Sequence, residues 1–173
     1  MTMKKLSAPE SRNLERLLQK TIASGGWWPN ERTFQLAHGI ISAWAPELVI
    51  TRRVRGRKEV LLTRYGGGAK KFRGWWHLPG GYDKWTLPDI AADCSAIAKR
   101  ELGFDVAYRG ILGAYKWRPN EHPYGRPLSL YVSCAPKKKI AETAVMRFFP
   151  VKRLPPRIVP CHRKFIAEHL ADR

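Results

Sequence analysis

Leu14, Leu17, Leu18 and Ile22 recur every three or four positions, which puts them on one face of a helix over residues 9–24, and Gly25-Gly26 ends the pattern. Trp27-Trp28-Pro29 reads as a packed entry loop. The apolar runs Phe34–Trp44 and Leu48–Val54 predict strands. Arg55-Gly56-Arg57-Lys58 is the turn of a hairpin that returns through Val60-Leu61-Leu62. Gly66-Gly67-Gly68 marks a basic loop over 65–73. A short strand over 75–78 then enters the turn Pro79-Gly80-Gly81. Beyond it, Ile90, Ala91, Cys94, Ile97, Ala98 and Leu102 form the apolar side of another helix. Asp89 is suited to cap its start, because a carboxylate accepts from free backbone N–H groups. Gly103 suits its end, where the chain takes a positive φ. Strands follow over 106–117 and 128–134, separated by the polar loop 118–126, and another over 144–150. A proline-containing loop leads to a last amphipathic helix over 162–170. Strands, one helix, more strands and a terminal helix define an α+β fold with a mixed sheet between helices. No repeat, low-complexity tract or interdomain linker interrupts it.

Composition adds three points. A chain of 173 residues suits a single domain, and at that size roughly two-thirds of the unfolded surface is buried without disulfide support. Cys94, Cys134 and Cys161 are scattered and odd in number, with no C-x-x-C pair, so zinc and disulfide frameworks are poorly matched and reduced thiols in the cytoplasm are expected. No apolar run reaches the ~20 residues needed to span a bilayer, and the basic start Met1–Lys5 lacks a following hydrophobic region. We therefore expect a cytoplasmic protein that does not enter membranes.

Charge is the unusual property. Thirty-two Lys and Arg face fourteen Asp and Glu, for a net charge of +18. Basic clusters recur at Arg52–Lys58, Lys70–Arg73, Lys137–Lys139 and Lys152–Arg157. Such a field draws in polyanions and speeds their encounter, which points to a nucleotide, an RNA or another acidic partner.

The segment F-R-G-W-W-H-L-P-G-G, followed by a helix ending E-L-G-F, resembles the Nudix hydrolases, whose pattern is G-x5-E-x7-R-E-U-x-E-E-x-G-U. The resemblance covers Trp28 to the C-terminus. It implies a Nudix-like α/β/α sandwich over 27–173, preceded by an N-terminal helical extension over 1–26. In that family, glutamates on one helix face bind Mg²⁺, which bridges the oxygens of a diphosphate. The glycine turn lets backbone approach the ligand. This chain departs from the pattern between its two ends. Counting back from Gly103, the last glutamate is Glu101, the one before it is replaced by Arg100, the glutamate of the R-E pair by Ile97 and its arginine by Ala96. The early glutamate falls near Pro88, in a loop one residue longer than the pattern.

A reduced box of this kind is similar to that of the GDP-mannose mannosyl hydrolases, whose helix ends A-E-L-G and which use one Mg²⁺. The resemblance implies a single Mg²⁺ or Mn²⁺ held by Gly81, Glu101 and Glu142. The base position of that branch falls on Thr143, which cannot act as a base, leaving Glu121 and His122 in the neighbouring loop as substitutes beside Glu101. Arg64, Arg73, Gly80, Gly81 and Arg100 are candidates to hold phosphate, and Trp85 to stack on a base or sugar. A fixed guanidinium at position 100 opposes a cation and favours a bare phosphate. Two functions follow. One is a metal-dependent Nudix-type hydrolase of a nucleoside diphosphate linked to a sugar or other group. The other is a non-catalytic Nudix-like domain that binds nucleotide or RNA. Because Nudix proteins commonly pair, the resemblance also implies a homodimer.

Overall fold

The computed structural model describes residues 6–23, 33, 44–66, 70–82, 87–123 and 126–171. The expected strand over 34–44 lies outside these residues, apart from Trp44. Helix α1 (Ala8–Ala23) carries its leucines on the surface, with Leu14, Leu17 and Leu18 all exposed. The strands are β1 (Trp44–Val49), β2 (Thr51–Val54), β3 (Arg57–Arg64), β4 (Trp76–His77), β5 (Val106–Lys116), β6 (Leu128–Pro136) and β7 (Met146–Pro150). Two further helices are α2 (Ile90–Leu102) and α3 (Pro160–His169).

One sheet runs β1-β6-β5, with β1 parallel to β6 and β5 antiparallel to it. In the other, β3 pairs antiparallel with β2, β4 and β7. The hairpin between β2 and β3 turns on Arg55 and Gly56, both at positive φ (50° and 76°). That geometry matches the right-handed twist of the paired strands and is easy for glycine at the second position. The two sheets join at two places. The Leu61 N–H donates to the Ile50 carbonyl at 2.9 Å. The Pro79-Gly80-Gly81 turn lies along the free edge of β1, where Leu48 N–H donates to the Pro79 carbonyl at 2.7 Å and Gly81 N–H to the Pro46 carbonyl at 3.3 Å.

Alternation along the strands splits the core between two helices. Leu48, Ile50 and Leu61 pack with Cys94, Ile97, Ala98 and Leu102 of α2. Val49, Val60 and Leu62 face the other way and pack with Phe165 and Ile166 of α3. The result is the expected α+β sandwich, a mixed strand layer between helices. Asp89 caps α2, its side chain accepting from Ala92 N–H at 2.8 Å, and Gly103 closes it at φ 71°. The strands expected over Phe34–Trp44 and Leu48–Val54 leave 45–47 between them. These residues are in fact the middle of β1: proline lacks only the N–H, and its carbonyl still accepts from Gly81 N–H at 3.3 Å.

Candidate functional site

The glycine turn has two faces, and each meets a different charged side chain. A Cβ on Gly80 would overlap Glu47 Oε2 and lie 2.8 Å from Glu47 Cδ and 3.0 Å from the Pro46 carbonyl oxygen. A Cβ on Gly81 would overlap Arg100 Nη2 instead. Gly80 therefore needs glycine for close approach, since backbone and a buried carboxylate leave no room for a Cβ, whereas at Gly81 the only obstacle is the far end of the Arg100 side chain.

On the α2 face, the Arg100 guanidinium lies against Gly81, and its Nε donates to Glu101 Oε1 at 2.9 Å. Both side chains are exposed enough for the pair to be weak, about 0–1 kcal/mol. The position where the family's helix carries another glutamate is Ile97, buried in the core of the α2 face. A divalent ion between the turn and Glu101 does not fit these residues as they stand. Glu101, the one carboxylate of the box that remains, is engaged by a cation that also covers Gly81, and among the described residues no group of three His, Cys, Asp or Glu side chains is placed to hold a metal ion.

On the α3 face, behind Gly80, lies a cavity of about 90 Å³ lined in part by Glu47, His77, His122, Ser129 and His162 and walled by Trp117 and Phe72. Glu47 is buried in mid-strand. Its Oε1 accepts from the Ser129 hydroxyl at 3.0 Å, and that oxygen accepts in turn from Trp117 Nε1–H at 2.9 Å. His162, near the start of α3, is 3% exposed. Its Nδ1 accepts from Leu78 N–H at 3.0 Å, while Nε2 has no hydrogen-bond partner and stands 3.7 Å from Glu47 Oε1. Burial disfavours charge on this imidazole and the Glu47 carboxylate favours it, with a net upward pull on its pKa. The Leu78 bond counters that pull. Nδ1 must keep its lone pair to accept, so in this arrangement the ring is neutral with its hydrogen on Nε2. Burial pushes the His77 pKa down to about 4, and its Nε2 lies 3.2 Å from Thr63 Oγ1.

The other expected site residues are dispersed. His122 does reach the cavity, its ring 4.7 Å from that of Trp117. Glu121 points elsewhere: its Oε2 accepts from Arg118 N–H and the Tyr115 hydroxyl, both at 2.8 Å, which together hold its carboxyl below the usual range. Glu142 accepts from Arg52 at 2.8 Å and from Phe148 N–H at 3.3 Å, in a network that includes Glu59. Arg64 lies outside the cavity. Tyr65 and His77 line it, so their strand neighbours Arg64 and Trp76 face the other way. Arg64 sits over the Trp76 ring at 4.9 Å in a separate groove shared with Gly74, Pro156 and Arg157. Arg73 is exposed in the turn before β4. Trp85 lies outside the described residues.

Sequence reading missed Glu47, His77, Ser129 and His162. The available signal was a lone carboxylate inside the apolar run W-A-P-E-L-V-I, since a buried carboxylate requires partners.

No protein-family model matches the sequence, and no curated protein matches it. Solved structures do. The chain aligns with a UDP-X diphosphatase at 15% identity over 97% of its length and 85% of that chain, with a TM-score of 0.58. It aligns with a mutT/nudix family protein from Listeria innocua at 17% identity over 75% of its length and 92% of that chain, TM-score 0.56. The NUDIX domain of Shewanella oneidensis NrtR, solved with ADP ribose, aligns at 15% identity over 86% of this chain and 94% of that one, TM-score 0.55. Against a longer NrtR chain the alignment spans 61% of that protein's length. NrtR has also been solved with a 27mer DNA. At such identities the likeness is one of fold, and the fold is that of the Nudix proteins.

Proposed function

We propose that this chain is a Nudix-fold domain that binds a nucleoside-diphosphate-type ligand, such as a nucleotide or nucleotide sugar, through positive side chains in place of a divalent metal. The observation that carries this reading is Arg100. Its guanidinium sits on Gly81 and in contact with Glu101, at the step of α2 where the family pattern has a carboxylate. A guanidinium there presents a fork of N–H donors to phosphate oxygens. The nearby cavity gives the non-phosphate part of a ligand somewhere to lie. The ADP ribose complex of the NrtR domain supports this class of ligand by fold analogy alone.

The test is calorimetric titration with ADP-ribose and a panel of nucleoside diphosphates and nucleotide sugars, in EDTA and then in Mg²⁺ or Mn²⁺. Binding that survives EDTA and weakens about 10- to 100-fold in Arg100→Ala is expected, the loss of a charge-assisted hydrogen bond. The competing reading is the metal-dependent hydrolase. Turnover that requires the metal and disappears in Glu101→Gln would establish it and overturn ours.

A polyanion such as RNA is a further proposed partner. The groove holding Arg64 and Arg157 supports it, as does the net charge of +18. It requires binding to oligonucleotides that falls steeply with salt; affinity unaffected by salt would remove it. We also take residues 1–26 as an extension of the domain over 27–173, and a homodimer as the assembly. Sedimentation of the full chain beside one lacking 1–26 tests both.

A further inference from the structure

We propose that the cavity on the α3 face receives a methylated ammonium group, with the Glu47 carboxylate as its counter-ion and aromatic rings as its walls. The inference goes beyond the reading of Arg100 and stands without it.

The first observation is an unbalanced charge. Glu47 is 8% exposed in the middle of β1 and borders the cavity. Among the described residues, the one group within ion-pair distance of it is His162, at 3.7 Å. That ring accepts from Leu78 N–H through Nδ1 and is neutral in this arrangement, so it brings no positive charge. His77, also on the cavity wall, is kept neutral by burial. A buried carboxylate without a counter-ion is costly, and the cavity is where a counter-ion has room.

The second observation is the lining. Tyr65, Phe72, Tyr82 and Trp117 border the same space, with the Phe72 and Trp117 rings inclined at 47° and their centroids 6.3 Å apart. Aromatic faces carry the negative part of the ring quadrupole. Several of them beside a carboxylate favour a cation with an apolar surface.

The third observation selects among cations. Glu47 Oε1 accepts from the Ser129 hydroxyl, and Oε2 packs on Gly80. A primary ammonium brings three N–H donors, which so engaged a carboxylate does not satisfy. A trimethylammonium group has no donors and needs only charge and apolar contact. Its size agrees: a cavity of about 150 Å³ accepts benzene, so one of about 90 Å³ suits a group of about four heavy atoms. His162 Nε2–H, buried without an acceptor at the same wall, suits an oxygen on the same molecule. The surface charges behind the net +18 are screened over about 8–10 Å at physiological salt, whereas Glu47 stands at the wall itself. Gly81 borders the cavity and also meets Arg100. A diphosphate ester of a methylated amino alcohol therefore fits both places at once.

The experiment is calorimetric titration of the full chain with choline, ethanolamine and neohexyl alcohol, which has the shape of choline without its charge. Choline is expected to bind about 10- to 100-fold more tightly than neohexyl alcohol, as a desolvated cation among aromatic rings and a carboxylate should. Ethanolamine should bind more weakly than choline. Glu47→Gln keeps the size and removes the charge, and is expected to bring choline down to the level of the alcohol; a thermal melt beside wild type checks that it folds. The comparison among ligands on the unaltered protein stands even if that variant does not fold. Choline within about twofold of neohexyl alcohol, ethanolamine tighter than choline, or undiminished choline binding in a folded Glu47→Gln would overturn the inference. CDP-choline should bind more tightly than CDP in EDTA, and equal affinities would overturn the joined ligand. If choline binds and CDP is indifferent to Arg100→Ala, the cavity inference stands and the Arg100 reading falls. If CDP weakens in that variant and choline does not bind, the reverse holds.

Discussion

Placing alanine at position 80 or at position 81 adds one methyl group to the same turn, and the two are expected to have opposite consequences. At Gly80 the new Cβ overlaps Glu47 Oε2 and presses on the Pro46 carbonyl. Neither can yield cheaply. The carbonyl belongs to β1, and Glu47 is buried with its other oxygen bonded to Ser129. Losing a hydrogen bond to a charged group costs about 1.5–3 kcal/mol, and overpacking a filled site about 1–3 kcal/mol. Gly80→Ala should therefore destabilise the fold by about 2.5–6 kcal/mol, or roughly 5–25 °C in melting temperature for a chain of this size. At Gly81 the Cβ meets only the far end of Arg100, whose side chain is 43% exposed and free to swing. Neither glycine has a positive φ, so the backbone strain term is absent. Gly81→Ala should stay within about 1 kcal/mol of wild type. It should nevertheless displace the guanidinium and weaken diphosphate binding. Differential scanning calorimetry gives the first quantity and titration the second. If Gly80→Ala melts with wild type, the close contact of Glu47 with the turn is wrong. If Gly81→Ala melts normally and binds normally, Arg100 does not hold the phosphate.

Other perturbations probe the surroundings of the site. His77 has its pKa lowered to about 4 chiefly by burial, against about 6.5 when unfolded. The neutral ring thus contributes stability above pH 6.5 that is lost as pH falls toward 4, by roughly 3 kcal/mol. His77→Gln should flatten the urea-denaturation midpoint across that window, and an unchanged slope would argue against the assignment. Arg52 joins Glu59 and Glu142 and covers the Phe148 ring at 3.9 Å. Arg52→Ala should cost about 1–2 kcal/mol in melting experiments while leaving diphosphate affinity unchanged. Cys94, Cys134 and Cys161 are all buried, so a thiol reagent should label none of them in the folded protein and three after denaturation.

Much of the fold was legible because its signals are local. The Asp89 cap, the Gly103 stop, the period of Cys94, Ile97 and Ala98, and the positive φ demanded at Arg55-Gly56 all act within a few residues. The site was less legible because it is assembled across long separations. Glu47 and Ser129 are 82 positions apart, and Leu78 and His162 are 84 apart. Nothing local marks His162, which sits at an ordinary position near the start of an amphipathic helix. Counting along the Nudix pattern located Gly81, Arg100 and Glu101 beside one another. It could not say that Arg64, one residue from the cavity-lining Tyr65, would face away. Nor could it foresee Glu142 held by an arginine on a distant hairpin, since that pairing depends on the register of β3 with β7.

The turn and the helix behind it are moored independently. Gly81 is tied to the edge of β1 through Pro46, and the helix starts on its own cap at Asp89 and is seated by its own apolar stripe. Because each end holds through its own contacts, the spacing between them is open to drift, and the one-residue excess over the Nudix pattern displaces neither end.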